Sequence, residues 1–154
     1  MKNGISFAAT MLAAMATPAV AENWRAASLG EEYPAVVVLV DADSISRSGN
    51  KATFRAQSLF EKALEGGATR SIEVMEADCD GKRHRIFNSK FYVDEKFSEE
   101  DDSISDYYSV TPGSVNQGMI FTACGARDYQ SDAIADPINY ANDYFLELAL
   151  SEGV

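Results

Sequence analysis

The sequence predicts an α+β fold in which an antiparallel β-sheet is followed by two helices. Segments of strand length with alternating or β-branched apolar residues, separated by turn residues, fill the chain up to about residue 93. Helix-entrance signals followed by apolar residues at helical spacing come after residue 110. Strands that precede helices along the chain, instead of alternating with them, are typical of the α+β class.

The first 21 residues are typical of a cleaved signal peptide. A positive start at Met1-Lys2 precedes an apolar run from Ile5 to Ala16, and the sequence 19–21 is an A-x-A cleavage pattern. The run is shorter than the roughly 20 residues of a membrane-spanning helix, and it shows no polar face at helical spacing. We therefore expect cleavage after Ala21, with no transmembrane segment and, since no Cys follows that position, no lipid anchor.

The mature chain has the length of a single domain. Removing 21 of 154 residues leaves 133, and the predicted domain is 22–154. Cleavage also removes Lys2, so the net charge goes from −11 to −12. Because phosphate binding depends on Lys and Arg, this charge argues against nucleic acid as the main partner, and it suits solubility or a basic partner.

Cys79 and Cys124 are the two cysteines of the sequence. In an oxidising compartment they can form one intramolecular disulfide, which closes a loop of about 45 residues. A catalytic thiol is the alternative, but the spacing is not C-x-x-C and the single histidine, His84, lies in a charged strand. We predict a structural disulfide.

Two hairpins dominate the predicted sheet. The second contains Asp80-Gly81, which is a strong signal for a two-residue turn. The first strand begins at Trp24, and four further segments follow it: 35–41, 51–60, 69–79 and 82–93. Together they form a meander of at least five strands, about five to six in all. The strand after Gly81 has no cleanly apolar face, so we expect it at an edge or twisted.

The remainder of the chain predicts a polar loop and two helices. Residues 94–106 form the loop. Thr111 as N-cap and Pro112 as the first helical residue then begin a helix that Cys124 ends, although a strand from 119 to 124 competes with it. Asp136-Pro137 begins the second helix, about 137–150, which ends near 152–153.

Four features in this order resemble the surface-adhesin protein E family of Gram-negative bacteria. They are Trp24, the segment VDADSI with RSGN after it (40–50), Asp78-Cys79 before a basic strand, and PGSV (112–115) leading to Cys124. The resemblance implies a bent antiparallel sheet with a helix laid across it, tethered by the Cys79–Cys124 disulfide. It favours helix over strand before Cys124. It also implies an adhesin that binds host matrix or serum proteins.

The candidate contact surface is basic and aromatic. Five basic residues lie close together on an otherwise acidic chain: Lys82, Arg83, His84, Arg85 and Lys90. They could contact an anionic ligand or an acidic protein surface, or they could protect an edge strand from unwanted pairing. Two aromatic residues could serve as anchors or pack on the sheet. The predicted binding residues are Lys82, Arg83, Arg85, Lys90, Tyr107 and Tyr108.

Two groups of carboxylates could bind a metal ion or act as acids. Asp41 and Asp43 would share a strand face and could hold a hard cation or act as an acid pair, or they could cap the turn after the strand. The run 99–102 with Asp106 could bind Ca²⁺, but it lacks the alternating ligands and central Gly of a calcium loop, which favours a solvated loop. We expect no metal and no cofactor.

The sequence contains no catalytic motif, so a non-catalytic function is predicted. The leading hypothesis is an exported protein-binding module, adhesin-like or a periplasmic accessory, with an unidentified partner such as a host matrix or envelope protein. The alternatives are an inhibitor of an envelope-targeting enzyme such as a lysozyme or protease, and a small hydrolase that uses carboxylates. We expect the protein in the periplasm or secreted.

The signal-peptide prediction is tested on protein recovered from the periplasm or medium. Intact mass and N-terminal sequencing are expected to show Glu22 as the first residue. Mature protein that retains Met1 would contradict the prediction.

Overall fold

The structure is a computed structural model that describes residues 22–152. The predicted signal peptide, 1–21, lies outside the described residues. Within them the strands are β1 (Trp24–Gly30), β2 (Val36–Asp41), β3 (Ser46–Ser48), β4 (Lys51–Phe60), β5 (Arg70–Asp78), β6 (Arg83–Val93), β7 (Lys96–Asp101) and β8 (Tyr108–Ser109). The helices are α1 (Val115–Ala123) and α2 (Pro137–Glu152), and a 3₁₀ turn spans Ala42–Ser44.

All the strands belong to one curled antiparallel sheet. Its order is β1-β2-β4-β5-β6-β7, with β3 paired to β4 and β8 paired to β6. Register shifts in three strand pairs mark β-bulges, which bend a sheet: Ala26/Ser28, Val74/Met75 and Phe91/Tyr92. The predicted α+β class, the bent meander and the two helices are confirmed.

The two helices cover opposite faces of the sheet. Val38 and Val40 of β2 belong to the core that includes Met119 and Ile120 of α1. The alternate residues Val37 and Leu39 belong to a second core, which includes Ala141 of α2. Because both faces of β2 are buried, its sequence is an unbroken apolar run. We call the two sides of the sheet the α1 face and the α2 face.

Helix α1 begins later than the sequence predicted. Ser114 is the N-cap, and its hydroxyl accepts a hydrogen bond from the backbone N–H of Gln117 at 3.3 Å. Thr111 and Pro112 lie outside the helix, because Gly113 has φ of +79°, which interrupts helical geometry. The helix itself, favoured over a strand before Cys124, is confirmed.

The segment between the helices closes one edge of the sheet. The backbone N–H of Gln130 donates to Ala26 O at 2.7 Å, and that of Ile134 donates to Trp24 O at 2.8 Å. This segment leads the chain from the α1 face to the α2 face along β1. Helix α2 then begins where predicted, since the Asp136 carboxylate accepts from the N–H groups of Ile138 and Asn139 at 3.2 and 3.1 Å.

The connection between β5 and β6 is longer than the predicted two-residue turn. Asp78 pairs with Arg83, so four residues, 79–82, form the loop. The Asp78 carboxylate accepts from the Gly81 N–H at 3.0 Å and closes this wider turn, and the positive φ falls on Lys82. The two-residue interpretation of Asp80-Gly81 was therefore wrong.

The predicted loop 94–106 was also wrong in its first half, which is strand β7. Asp94 and Glu95 both have positive φ, as a two-residue type I′ hairpin turn requires, and Val93 pairs with Lys96. All six residues of β7 are exposed. Its sequence therefore lacks the alternation of apolar and polar residues by which a strand is recognised. Strand β6 is consequently not an edge: β7 and β8 both pair with it.

The Cys79–Cys124 disulfide joins the end of β5 to the C-terminal end of α1. Its sequence separation is 45 residues. Arg47 adds a second restraint, because its Nε donates to the carbonyl oxygen of Ala123 at 2.8 Å. The predicted pairing and the tether to the helix are confirmed.

Replacing Cys124 with Ser is expected to lower the melting temperature by more than about 5 °C. A loop of this length contributes about 4 kcal/mol in the chain-entropy model. Circular dichroism melts measure the change, and reductant should bring the wild type down to the temperature of the variant. Free thiols in natively exported protein would contradict a structural bond.

Candidate binding surface

Opposite charges alternate across β4, β5 and β6 on the α2 face. Lys51 lies opposite Asp78, which lies opposite Arg83, and Glu76 lies opposite Arg85. Directly opposite residues share a face, so these charges are neighbours. The ion pairs are Arg83–Asp78 at 2.9 Å, Arg85–Glu76 at 3.0 Å and Lys51–Glu76 at 3.1 Å.

Tyr107 lies over these ion pairs. Its hydroxyl donates to the Glu76 carboxylate and accepts from Lys51 Nζ at 3.0 Å. The guanidinium carbons of Arg83 and Arg85 lie 4.6 and 4.9 Å from the ring centroid, within cation–π range. We call this group the tyrosine cluster: Lys51, Glu76, Asp78, Arg83, Arg85 and Tyr107.

The contacts within the cluster favour the charged forms of Glu76, Asp78 and Lys51. The hydrogen bond from Tyr107 lowers the pKa of Glu76 against the opposing effect of burial, and Lys51 and Arg85 lower it further. The backbone N–H of Gly81, followed by Arg83, lowers the pKa of Asp78. Hydrogen bonds to Tyr107 and Glu76 raise the pKa of Lys51. Charge compensation within the cluster thus persists across the neutral pH range.

The predicted binding residues divide into three groups. Arg83, Arg85 and Tyr107 meet in the tyrosine cluster, and Lys82 is exposed on the adjoining turn. Lys90 lies farther along β6 and pairs with Glu100 at 3.6 Å. Tyr108 does not share the surface of Tyr107.

Tyr108 lies on the α1 face, where its ring is 5.7 Å from that of His84. His84 pairs with Ala77, whose side chain belongs to the α1-face core, and is only 5% exposed. Its Nδ1 has no hydrogen-bond partner among residues 22–152. Burial lowers the pKa of this imidazole, so it is neutral at pH 7.

The sequence interpretation missed three members of the cluster, Lys51, Glu76 and Asp78. A signal was present, because Asp78 and Glu76 precede the turn at 79–82 by about the same distance as Arg83 and Arg85 follow it. Residues equally spaced about a hairpin turn become cross-strand partners. Lys51 could not be found in this way, because its partner depends on the register of β4 against β5.

Asp41, the last residue of β2, caps the 3₁₀ turn that contains Asp43. The Asp41 carboxylate accepts from the N–H groups of Asn23 and Asp43 at 3.0 and 3.3 Å, and Asp43 accepts from the Asn23 side chain at 3.1 Å. Asp43 lies in the 3₁₀ turn, so the expected shared strand face was wrong. In the part of the chain that the structure describes, no cluster of three or more potential ligands could hold a metal ion.

Residues 24–125 match the family model described as surface-adhesin protein E. The chain belongs to this family. Its adhesin-like character follows from that membership, and the match ends one residue after Cys124, so α2 lies beyond it. No curated protein and no solved structure gives a significant match. Between residues 22 and 152, neither helix has the length and apolar character that a membrane crossing requires.

The buried imidazole predicts a pH dependence of stability. The unfolded chain binds a proton at His84 near the ordinary pKa of 6.5, whereas the folded protein does so only at lower pH. The stabilisation of the fold that comes from neutral His84 is therefore complete above pH 6.5, and it is lost as the pH falls from there toward the pKa of the folded protein. Urea unfolding should show a larger loss of stability between about pH 7.5 and about pH 5.5 for the wild type than for His84→Gln.

The comparison between the two proteins removes the contribution of carboxylates that titrate in the same range. Glu73, whose pKa is raised by burial, is present in both proteins. Identical pH profiles would mean that His84 is solvated in the folded protein.

Proposed function

We propose that this protein is an exported, non-catalytic binding module whose contact surface is the tyrosine cluster with Lys82. Support for an adhesin-like role comes from the family match over residues 24–125. Export rests on the signal-peptide pattern of residues 1–21, with a periplasmic or secreted location as the outcome. The partner class is a protein, from host matrix or serum or from the bacterial envelope.

The observation that carries the choice of surface is the fixed stacking of two arginines on Tyr107. Protein interfaces are enriched in Tyr and Arg, and these residues dominate binding energies. Here the long side chains of Arg83 and Arg85 are already held by ion pairs and by the ring. Association therefore orders fewer side chains, which lowers its entropic cost.

The cluster presents cations outward and keeps its carboxylates beneath them. The side chains of Arg83 and Lys51 are 50% and 44% exposed, whereas those of Asp78 and Glu76 are 8% and 13% exposed. Arg and Lys carry only hydrogen-bond donors. The complementary partner surface offers acceptors, namely carboxylates and backbone carbonyl groups.

Pairing within the cluster limits the strength of long-range attraction. With the exposed turn included, the cations Lys51, Lys82, Arg83 and Arg85 face the carboxylates Glu76, Asp78 and Asp80, a surplus of one positive charge. The whole chain carries −11. We therefore assign recognition to short-range contacts with the arginines and the ring, and expect a shallower salt dependence than an unpaired basic patch would give.

A second candidate function is inhibition of a basic enzyme that attacks the envelope, such as a lysozyme. The observation in its favour is strand β7, which is exposed along its whole length and carries Glu99, Glu100 and Asp101. Exposed carboxylates on a sheet edge suit a cationic surface. Retained lysozyme activity with the protein in excess would remove this candidate.

The contact surface is tested by removing its outer charges without unfolding it. In a Lys82→Gln/Arg83→Gln variant, Asp78 keeps hydrogen bonds from Asn50 and the Gly81 N–H, at 3.0 Å each. We therefore expect a stability loss of only about 1 kcal/mol. Partners captured from serum and envelope extract by the immobilised mature protein are identified by mass spectrometry, and their affinities are then measured by surface plasmon resonance. The double variant should bind at least about tenfold more weakly.

Tyr108→Ser is the matched control, because it removes an exposed aromatic residue from the opposite face. Its affinity should stay within about twofold of the wild type. If the control weakens binding and the double variant does not, the contact surface lies on the α1 face. If denatured protein captures the same partners, the binding-module proposal itself fails.

A further inference from the structure

A cleft of about 310 Å³ lies on the α2 face, apart from the tyrosine cluster. The sheet forms its floor with Trp24, Gln57 and Arg70, and its wall consists of Ile134 from the segment between the helices and Ile138 from the start of α2. Gln57 lies opposite Ile72 on β5, two residues from Arg70, so the two polar side chains are diagonal neighbours on one face.

Two residues of the cleft lining, Gln57 and Arg70, each carry a buried hydrogen-bond donor without a partner among the described residues. Gln57 is 2% exposed, and its Nε2 has no acceptor among the described residues. Nε of Arg70 is likewise buried without a partner. A buried donor left unpaired costs about 1–3 kcal/mol, and such groups are rare in native proteins. Two of them in the lining of one cleft point to a ligand that supplies an acceptor.

The side-chain charges around the cleft are already matched. A guanidinium nitrogen of Arg70 pairs with Glu95 at 3.2 Å, and its guanidinium group stacks on Tyr92 at 3.9 Å. Glu22 pairs with Arg55 at 2.6 Å and accepts from the indole N–H of Trp24 at 2.8 Å. Arg70, the cationic side chain of the lining, is thus already paired, which leaves no lining side chain with a free positive charge for an anionic ligand.

We propose that this cleft binds a small neutral molecule with a carbonyl oxygen, of the carboxamide class. Binding turns the buried donors of Gln57 and Arg70 toward the cleft, where the oxygen accepts their hydrogen bonds, and the apolar part of the ligand packs against Trp24, Ile134 and Ile138. The wall of the cleft lies beyond residue 125, where the family match ends. The site therefore combines a floor inside the family match with a wall beyond it, and it is separate from the proposed contact surface.

A matched series of ligands tests the chemistry. Isobutyramide, isobutyrate and isobutylamine share one apolar group and differ in the polar one. In ¹⁵N-resolved NMR titrations of the mature protein, isobutyramide should shift the Gln57 side-chain amide signals with millimolar affinity, as expected for so small a ligand. Isobutyrate and isobutylamine should bind at least about tenfold more weakly. Equal binding of isobutyrate, or no shift with isobutyramide, would overturn the proposal.

Gln57→Leu separates a ligand site from a structural role. The variant removes an unpaired donor and keeps a similar volume, so its melting temperature should equal or exceed that of the wild type, while isobutyramide affinity falls at least about tenfold. Gln117→Leu, in α1 on the opposite face, should leave the affinity unchanged. A lower melting temperature with unchanged affinity for Gln57→Leu would show that the side chain serves only the fold.

Discussion

Burial of β2 on both of its faces is the constraint on which the rest of the structure depends. A strand with apolar side chains on both sides cannot lie on the surface of a single-layer sheet, because half of its residues would remain in water. Val38 and Val40 require a cover on one face, which α1 supplies, and Val37 and Leu39 require a second cover, which α2 supplies. The chain reaches both faces because the segment between the helices runs along the edge of β1.

The two covers differ in how firmly they are attached. Helix α1 is held by the Cys79–Cys124 disulfide and by Arg47, and it lies close against β1, where a Cβ on Gly118 would come within 2.5 Å of Ser28 Oγ. Among residues 137–151 of α2, Ala141 is the one buried residue, and the helix is attached mainly by its first half. The tightly attached helix lies inside the family match and the looser one outside it. The cleft at the start of α2 follows from this looser packing.

Local patterns were sufficient to predict the fold class and most of the strands, because the hydrophobic period is a local property. The disulfide was predictable because the sequence has two cysteines. They failed where long-range contacts decide the backbone. The acidic strand β7 has no apolar period, and it forms because β6 offers an unpaired edge next to a tight turn. The same limit applies to the site: the cross-strand partners of Arg83 and Arg85 could be inferred from the hairpin, but Tyr107 comes from a distant segment and Lys51 from another hairpin.

The separation of Tyr107 from Tyr108 shows why adjacent sequence residues are poor guides to a shared surface. Strand geometry directs neighbouring side chains to opposite faces, so one ring closes the ion pairs of the α2 face while the other packs on His84. Helix α2 covers the part of its face that lies over β1 and β2, and the tyrosine cluster occupies the part over β5 and β6. Over β5 and β6, the α2 face carries ion-paired side chains and the ring of Tyr107. This half of the face therefore remains accessible without exposing an apolar surface.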